Sequence, residues 1–384
     1  MPDMRFAPPT AIRVDDRVGG LNQISVRSYN ERLVMSLLRQ HGNLSRMDLC
    51  QRSGLSAQTI SVIVRALERD ELLVLGDAQR GRVGPPTTPL SLRPDGAFAI
   101  GMKIGMRSTD LILIDFLGQV RSRIGYIYDW PDADVIFNRL GSDLGTLCGT
   151  LSPEHQERLT GIGIAVPEGI ENLDLPDMPT HAVKRWSEVN FETEVNTIAR
   201  MEVHIQNDAT AATGAEMIFG SARQLDDFAY MFVGGSTSCR LALGHRIYAG
   251  RHFKTNPQMT SLRDLHDAIQ QTEGDQANAI WRGDESWPAF GAVQSHWLET
   301  CAADLAKAIT ALSSFVDIRT AIIDGRLPRT VASELRDRVA CLLVCDVPDL
   351  VVQGGDIGGL GKAIGAAALC LHSRYMVENA PLGA

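Results

Sequence analysis

The stretch LSRMDLCQRSGLSAQTISVIVRALERDELL, residues 44–73, decides how the front of this chain is read. Ser45 begins a short helical pattern that runs through Ser53, with Asp48 three residues on as a capping-box acid. Gly54 supplies a turn, and Ser56 caps a further helix whose Ile60, Ile63, Val64 and Leu67 share one face. The outer face is Ala57, Gln58, Thr59, Ser61, Val62 and Arg65, which is polar where a buried helix would be apolar. Upstream, residues 28–41 place Leu33, Val34, Leu37 and Leu38 on one side of a helix that Gly42 stops. A helix–turn–helix lays its second helix in the DNA major groove, where N-terminal side chains meet base edges. Ser56, Ala57, Gln58, Thr59 and Ser61 are the candidates for that contact. Gln can pair bidentately with adenine, and Ser or Thr with several bases. Arg65, two turns on, suits a phosphate. The alternative is a solvated helix in a helical bundle.

The segment after this helix favours DNA. LLVL (72–75) and LSL (90–92) are short strand patterns around GDAQRGRVGPPTTP, a Gly/Pro/Arg loop that cannot be helical. Three helices and a hairpin with a basic tip make a winged helix–turn–helix. Arg80 and Arg82 would reach the minor groove, unless the loop is an ordinary linker. Charge agrees: residues 1–95 hold 13 Arg, no Lys and 10 acids, a balance of +3, while the rest sums to −12.

At 384 residues the chain exceeds one ordinary core, and about 150 residues per domain suggests two or three. No apolar run reaches the roughly 18 residues of a membrane span. The opening MPDMRFAPPTAIRVDD lacks the apolar core of a signal peptide and reads as a flexible arm. Seven scattered cysteines without a CxxC pair favour reduced thiols in the cytoplasm. Cys341 and Cys345 are expected as small core residues.

From Phe98 the periodicity changes. AIGMKIG, DLILIDFLGQV and RIGYIYDW read as a strand meander, 134–151 as a helix, LTGIGIAVP as a buried strand and 187–200 as a helix. VHIQNDATAATGAEMIFG is strand, turn and helix, with Asp208 as a candidate helix cap. FAYMFVGG and SCRLALGHRIYAG restart the hairpin pattern near residue 228. Helices at 295–315, 329–344 and 361–375 then alternate with strands TAIIDG and DLVVQ.

Two α/β units, each opening on a β-hairpin, resemble the ribonuclease H-like, actin-type ATPase fold. With a winged helix in front, the chain resembles the ROK family (repressors, open reading frames and kinases). The motifs carrying this likeness are NERLVMSLLRQHG, GLSAQTISVIVRALERDELL, GPPTTPLSLRPDGAFAIGMKIG, GIGIAVPEG, IQNDATAATGAE and AIGAAAL, spread over residues 28–370. The resemblance implies an arm at 1–27, a DNA-binding domain at 28–94 and a ROK domain at 95–384. Lobe 1 would be about 95–220 plus the C-terminal helix, and lobe 2 about 221–360. Members with this architecture are sugar-responsive regulators; those without the head are mostly ATP-dependent sugar kinases.

The departures from that pattern favour the regulator. Lys103 stands where kinases keep an acidic residue, and a lysine cannot hold Mg²⁺. In Gly234-Gly235-Ser236-Thr237-Ser238-Cys239-Arg240 bulkier residues replace the later glycines of the second phosphate loop. Residues 254–290 contain no Cys, so the family's zinc cluster has no ligands, and neither metal nor cofactor is expected. Asn207-Asp208 match the ND pair that holds sugar hydroxyls and, in kinases, supplies the base. Glu168 lies in the adjoining loop. Where a Glu-x-Gly-His clamp belongs, Pro257-Gln258-Met259-Thr260 stand, leaving Lys254 and Asn256 as nearby polar groups. The expectation is a cytoplasmic, homodimeric or homotetrameric repressor of carbohydrate-related genes. It would bind a double-stranded operator and possess no catalytic residue, with a sugar or sugar derivative as the candidate effector. The alternatives are a sugar kinase with a DNA-binding head, or a regulator without a ligand.

Overall fold

A computed structural model describes residues 23–77, 88–172, 178–248, 259–281 and 287–377. The front is helical: α1 (Gln23–His41), α2 (Arg46–Ser53) and α3 (Ala57–Arg69). Local chemistry sets their ends. The Ser45 hydroxyl accepts from the Asp48 N–H at 3.1 Å, and the Asp48 carboxylate accepts from the Ser45 N–H at 2.8 Å. These bonds hold the Asp48 carboxyl below its ordinary value. Gly54 at φ +70° ends α2, and Ser56 accepts from the Thr59 N–H to start α3. Strands β1 (Leu73–Leu75) and β2 (Leu90–Leu92) pair antiparallel, and Leu44 bridges Leu90 as a third edge. Three helices and this small sheet form the expected winged helix–turn–helix.

The body has two lobes of ribonuclease H-like pattern. In the first, β3 (Phe98–Ile104), β4 (Ser108–Asp115) and β5 (Val120–Ile127) form an antiparallel meander. Next come α4 (Ala133–Cys148), the single turn α5 (Pro153–Gln156), β6 (Leu159–Val166), α6 (Thr180–Glu188), α7 (Phe191–Ala199) and β7 (Val203–Asn207). The strand order is β5-β4-β3-β6-β7, with β6 and β7 parallel to β3. Helix α8 (Asp208–Phe219) then leads to the second lobe, β8 (Phe228–Val233), β9 (Ser238–Ala242), α9 (Leu262–Glu273), α10 (Gly291–Ser313), β10 (Thr320–Gly325), α11 (Arg329–Leu343) and β11 (Val351–Gly354). Its sheet order is β11-β10-β8-β9, with only β9 antiparallel. Finally α12 (Gly361–Tyr375) returns to the first sheet and packs beside α8.

Four details differ from the sequence reading. The helix expected at 187–200 is α7, starting only at Phe191 after α6 has ended at Glu188, because Asn190 caps a fresh start with its side chain on the Thr193 N–H. Helix α9 has no counterpart among the expected elements. Cys341 and Cys345 are both exposed rather than packed in the core, since the inner face of α11 is made by Val331, Leu335, Val339 and Leu343. The arm expected at 1–27 also overlaps α1, which already begins at Gln23; residues 1–22 and the wing tip with Arg80 and Arg82 lie outside the described residues.

The head is not loosely tethered. One hydrophobic core runs from Leu37, Leu49 and Ile60 of the head into Ala99, Ile112 and Phe116 of the first sheet and Ala363, Ala367 and Leu371 of α12. The close approach of α12 depends on glycine. A Cβ added at Gly101 would lie 2.0 Å from the Ala363 carbonyl oxygen, at Gly163 1.8 Å from that of Ala366, and at Gly365 1.7 Å from that of Ala211. Backbone therefore sits on backbone at both sheet and α8. Gly163→Ala is expected to destabilise the chain by at least about 1–3 kcal/mol through overpacking. Gly145→Ala, whose new Cβ meets nothing within 4 Å, should not destabilise it. The urea midpoints of the two variants check this.

Candidate DNA-binding face and inter-lobe cleft

The residues expected to contact bases fall into two groups. Ser56 and Thr59 are engaged with each other, their hydroxyls 2.8 Å apart, and the Ser61 hydroxyl donates to the Ala57 carbonyl at 2.8 Å. Ala57, Gln58, Val62 and Arg65 are exposed. The second group is therefore free at the surface, while the first shapes the helix start. Arg46, Arg52 and Arg69 add exposed positive charge to α2 and α3.

The cleft between the lobes gathers residues from six segments. It is lined by Lys103, the turn Gly105–Ser108, Asp208, Gly234, Gly235, Trp281, Arg326 and Lys362. Lys103 donates to the Ser108 hydroxyl at 2.7 Å and lies 3.7 Å from Asp110. Arg326 crosses from the second lobe to the same hydroxyl at 2.7 Å and to Asp110 at 3.4 Å. Burial pushes Lys103 down to about 8, opposed by Asp110 and reinforced by Arg326 and Lys362. Burial alone would raise Asp110, but Lys103, Arg326 and Arg123 hold it below its ordinary value.

Asp208 does not cap α8. The cap is Asn207, whose side-chain oxygen accepts from the Ala209 and Thr210 N–H groups at 3.0 and 3.1 Å. An Asn ahead of the helix meets two free donors, whereas Asp208 is already the first helical residue and points away to Lys362. The Lys362 ammonium donates to its carboxylate at 2.5 Å, with both side chains under 10% exposed. Arg240 donates to the Asn207 oxygen at 2.6 Å and to the Thr210 hydroxyl at 3.1 Å, tying β9 to the start of α8. Glu168 is exposed at the rim, close enough to Arg240 to oppose the fall that burial causes in its pKa. Thus Asn207 and Asp208 come together at the cleft and Glu168 stays at its edge. Lys254 and Asn256 lie outside the described residues.

Lys362, Arg326 and Arg240 belong to this site although the sequence reading does not place them there. One signal was available: Lys362 is the lone charge in GKAIGAAALC, a run too apolar to leave a lysine unpaired. Arg240 stood out only as a lost glycine.

Comparison with known proteins fits both halves. The profile of the ROK family matches residues 99–256, and that of a winged helix-turn-helix DNA-binding domain matches residues 27–74. The xylose repressor of Bacillus subtilis is 23% identical over 60% of this chain and 59% of its own length. The DNA-binding transcriptional dual regulator NagC of Escherichia coli is 22% identical over 61% of this chain and 58% of its own. The aligned region thus spans less than two thirds of either relative. A ROK family transcriptional regulator, a homologue of the E. coli MLC protein, superposes with a TM-score of 0.60 at 18% identity, covering 91% of this chain and 97% of that one. A ROK family glucokinase from Streptomyces griseus gives 0.52 at 18% identity over 71% and 99%. These likenesses establish the fold.

Behind the cleft, two buried carboxylates grip the approach to α12. Glu216 accepts from the Ile357 N–H at 2.8 Å, and Asp324 from the Gly358 N–H at 3.2 Å and the Tyr230 hydroxyl at 3.1 Å. Burial, aided by Glu216, pushes the Asp324 carboxyl from 3.8 up to about 7. The folded state therefore holds a proton that the unfolded chain releases. That stabilising share is complete below about pH 4 and is lost as pH rises through 7. Between these limits wild type should lose up to about 1.4 kcal/mol per pH unit more than Asp324→Asn. Denaturation midpoints at pH 5 and 7 measure the difference, and parallel curves would contradict it.

Proposed function

We propose that this chain, which belongs to the ROK family and carries a winged helix–turn–helix ahead of its ROK domain, is a transcriptional regulator that represses carbohydrate-related genes. The observation that carries the reading is α3: a helix buried along one face and capped at its start, offering Gln58, Val62 and Arg65 to a groove. The repressor names of the two sequence relatives support the same reading. The partner is a double-stranded operator. A homodimer or homotetramer in the cytoplasm would set two heads on half-sites about one helical turn apart, or a multiple of it.

The body senses rather than catalyses. Lys103 occupies the place of a metal-binding acid, and Asp208, the base a kinase would use, is neutralised by Lys362. Asn207, Asp208 and Glu168 are the candidates for a polyol effector, which would compete with Arg240 and Lys362 for the first two; Lys254 and Asn256 are further candidates. The effector would act on the head through α8 and α12. Both helices begin at the Asp208–Lys362 pair, and both end against α1. Phe219 of α8 and Phe116 each lie 5.0 Å from the Arg39 guanidinium. After α12, the Val377 N–H donates to the Ser36 hydroxyl at 3.0 Å. A change at the cleft therefore has two rigid routes to the DNA-binding helices.

Gln58→Ala is expected to relax base preference at one position, at a cost of about 1–3 kcal/mol for the cognate site. Arg65→Ala should weaken all DNA sequences alike and lower the salt dependence by about one phosphate contact. Selection of bound sequences from a random pool, followed by titrations at several salt concentrations, tests both. An unchanged preference in Gln58→Ala would remove α3 from the recognition role. ATP-dependent phosphorylation of a hexose panel is expected to stay at background, and turnover would contradict the sensing role.

A further inference from the structure

A second cavity, of about 530 Å³, lies where the head meets the first lobe. Leu38, Val74 and Leu92 wall it from the head, and Leu117, Ile218 and Phe219 from the body. It shares no lining residue with the inter-lobe cleft. Its volume falls within the roughly 300–1,000 Å³ of small-molecule pockets.

The charge in this cavity is one-sided. Arg39 and the exposed Arg223 line it, and no Asp or Glu does so among the described residues. The Arg39 guanidinium is set between the Phe116 and Phe219 rings, 5.0 Å from each, and its Nη2 donates to the Phe116 carbonyl. Its buried Nε has no acceptor among the described residues, so a group with five N–H donors keeps some to spare. Asp115 acts on Arg39 but is already spent. It accepts from the Leu117 and Gln119 N–H groups at 2.9 and 3.0 Å and pairs with Arg121 at 2.8 Å. Burial pushes Arg39 down to about 9, opposed by Asp115 and reinforced by Arg223. A cation held among aromatic and aliphatic side chains without a partner of its own calls for an anion.

The walls narrow the choice. An occupant must offer Arg39 a negative charge and the leucines, Val74 and Ile218 an apolar body. A planar guanidinium matches a planar carboxylate, and one carboxylate suffices for the one enclosed cation. A free sugar would press its hydroxyls on aliphatic walls, and a metal ion would meet positive charge alone.

We propose that this cavity binds a small apolar monocarboxylate, with its carboxylate on Arg39 and its aromatic or aliphatic body between Leu38, Leu92, Leu117 and Ile218. Such an acid would touch α1, β2 and α8 together and so fix the head against the body. Its role as a second effector rests on the regulatory reading; its binding does not.

The test is calorimetric titration of the full chain with 2-naphthoate and with decanoate at pH 7.5, without DNA. Saturable binding of at least one acid, near one equivalent per chain, is expected. The uncharged 2-naphthamide and acetate, which lacks the apolar body, should each bind at least tenfold more weakly than that acid. Arg39→Met and Leu117→Glu should weaken it at least tenfold. The first removes the guanidinium, and the second sets a carboxylate beside it at a position 37% exposed. Circular dichroism and a cooperative thermal transition confirm that each variant is folded. Leu342→Glu, the same change at an exposed leucine of α11, should bind as wild type does. Hydrogen exchange should slow in peptides covering residues 38–44 and 117–119. The proposal is overturned if neither acid binds saturably, if the amide or acetate binds equally well, or if both cavity variants bind unchanged. Protection confined to residues 103–108 and 234–236 would place the acid in the inter-lobe cleft and overturn it as well. No DNA enters these assays, so a negative result leaves the regulatory reading standing.

Discussion

The ion pair between Asp208 and Lys362 organises the body of this protein. Asp208 is the first residue of α8, where a carboxylate meets the positive end of the helix dipole. Lys362 is the second residue of α12, where an ammonium meets the same positive end and gains nothing from it. The lysine is therefore held in place by the carboxylate, and by the Phe232 ring 4.7 Å away, rather than by its own helix. Removing either partner would strand a buried charge at a cost of about 3–5 kcal/mol. With the pair intact, the two helix starts are fixed together, and Gly365 lets α12 approach the α8 backbone. Three features depend on that register: the packing of α12 on the first sheet, the shared core with the head, and the positions of Phe219 and Val377 against α1.

On the proposed reading, the same pair lets a kinase-like fold serve a regulator. Fold alone does not assign activity. A ROK family regulator and a ROK family glucokinase both superpose on this chain, so the proposed role rests on a few side chains rather than on the fold. Lys103 and Arg326 crowd the cleft with positive charge, Lys362 occupies the carboxylate that would take a proton, and Arg240 clamps Asn207. Each of these contacts ties separate segments of the cleft together.

Legibility followed the range of the interactions. The head could be read almost residue by residue because its signals are local. Ser45 with Asp48, Gly54, and Ser56 ahead of an apolar stripe each act within four residues, and the structure places all of them as caps, turns and core. The body was legible at the level of strands and helices but not at the level of its site. The Lys362–Asp208 contact spans 154 residues and that of Arg326 with Ser108 spans 218, so no window of sequence contains them. Asp208 shows the limit well. Its position before a helix suggested a cap, yet Asn207 takes that role and a distant lysine claims the carboxylate. The start of α7 was misplaced for a different reason: its cap, Asn190, is a local signal that lies three residues inside the helix expected at 187–200.

Mechanical connection of the cleft to the DNA-binding helices through α8 and α12 is the central claim. Lys362 touches neither α1 nor any residue of the DNA-binding face, which makes it a clean probe of that connection. The deciding measurement is the operator affinity of Lys362→Met beside wild type, on full-length protein confirmed to be folded, at one fixed salt concentration. A change of roughly 5–150-fold is predicted, the range of ordinary coupling between distant sites. Identical affinities would mean that the body merely holds the head, and that the two helices transmit nothing.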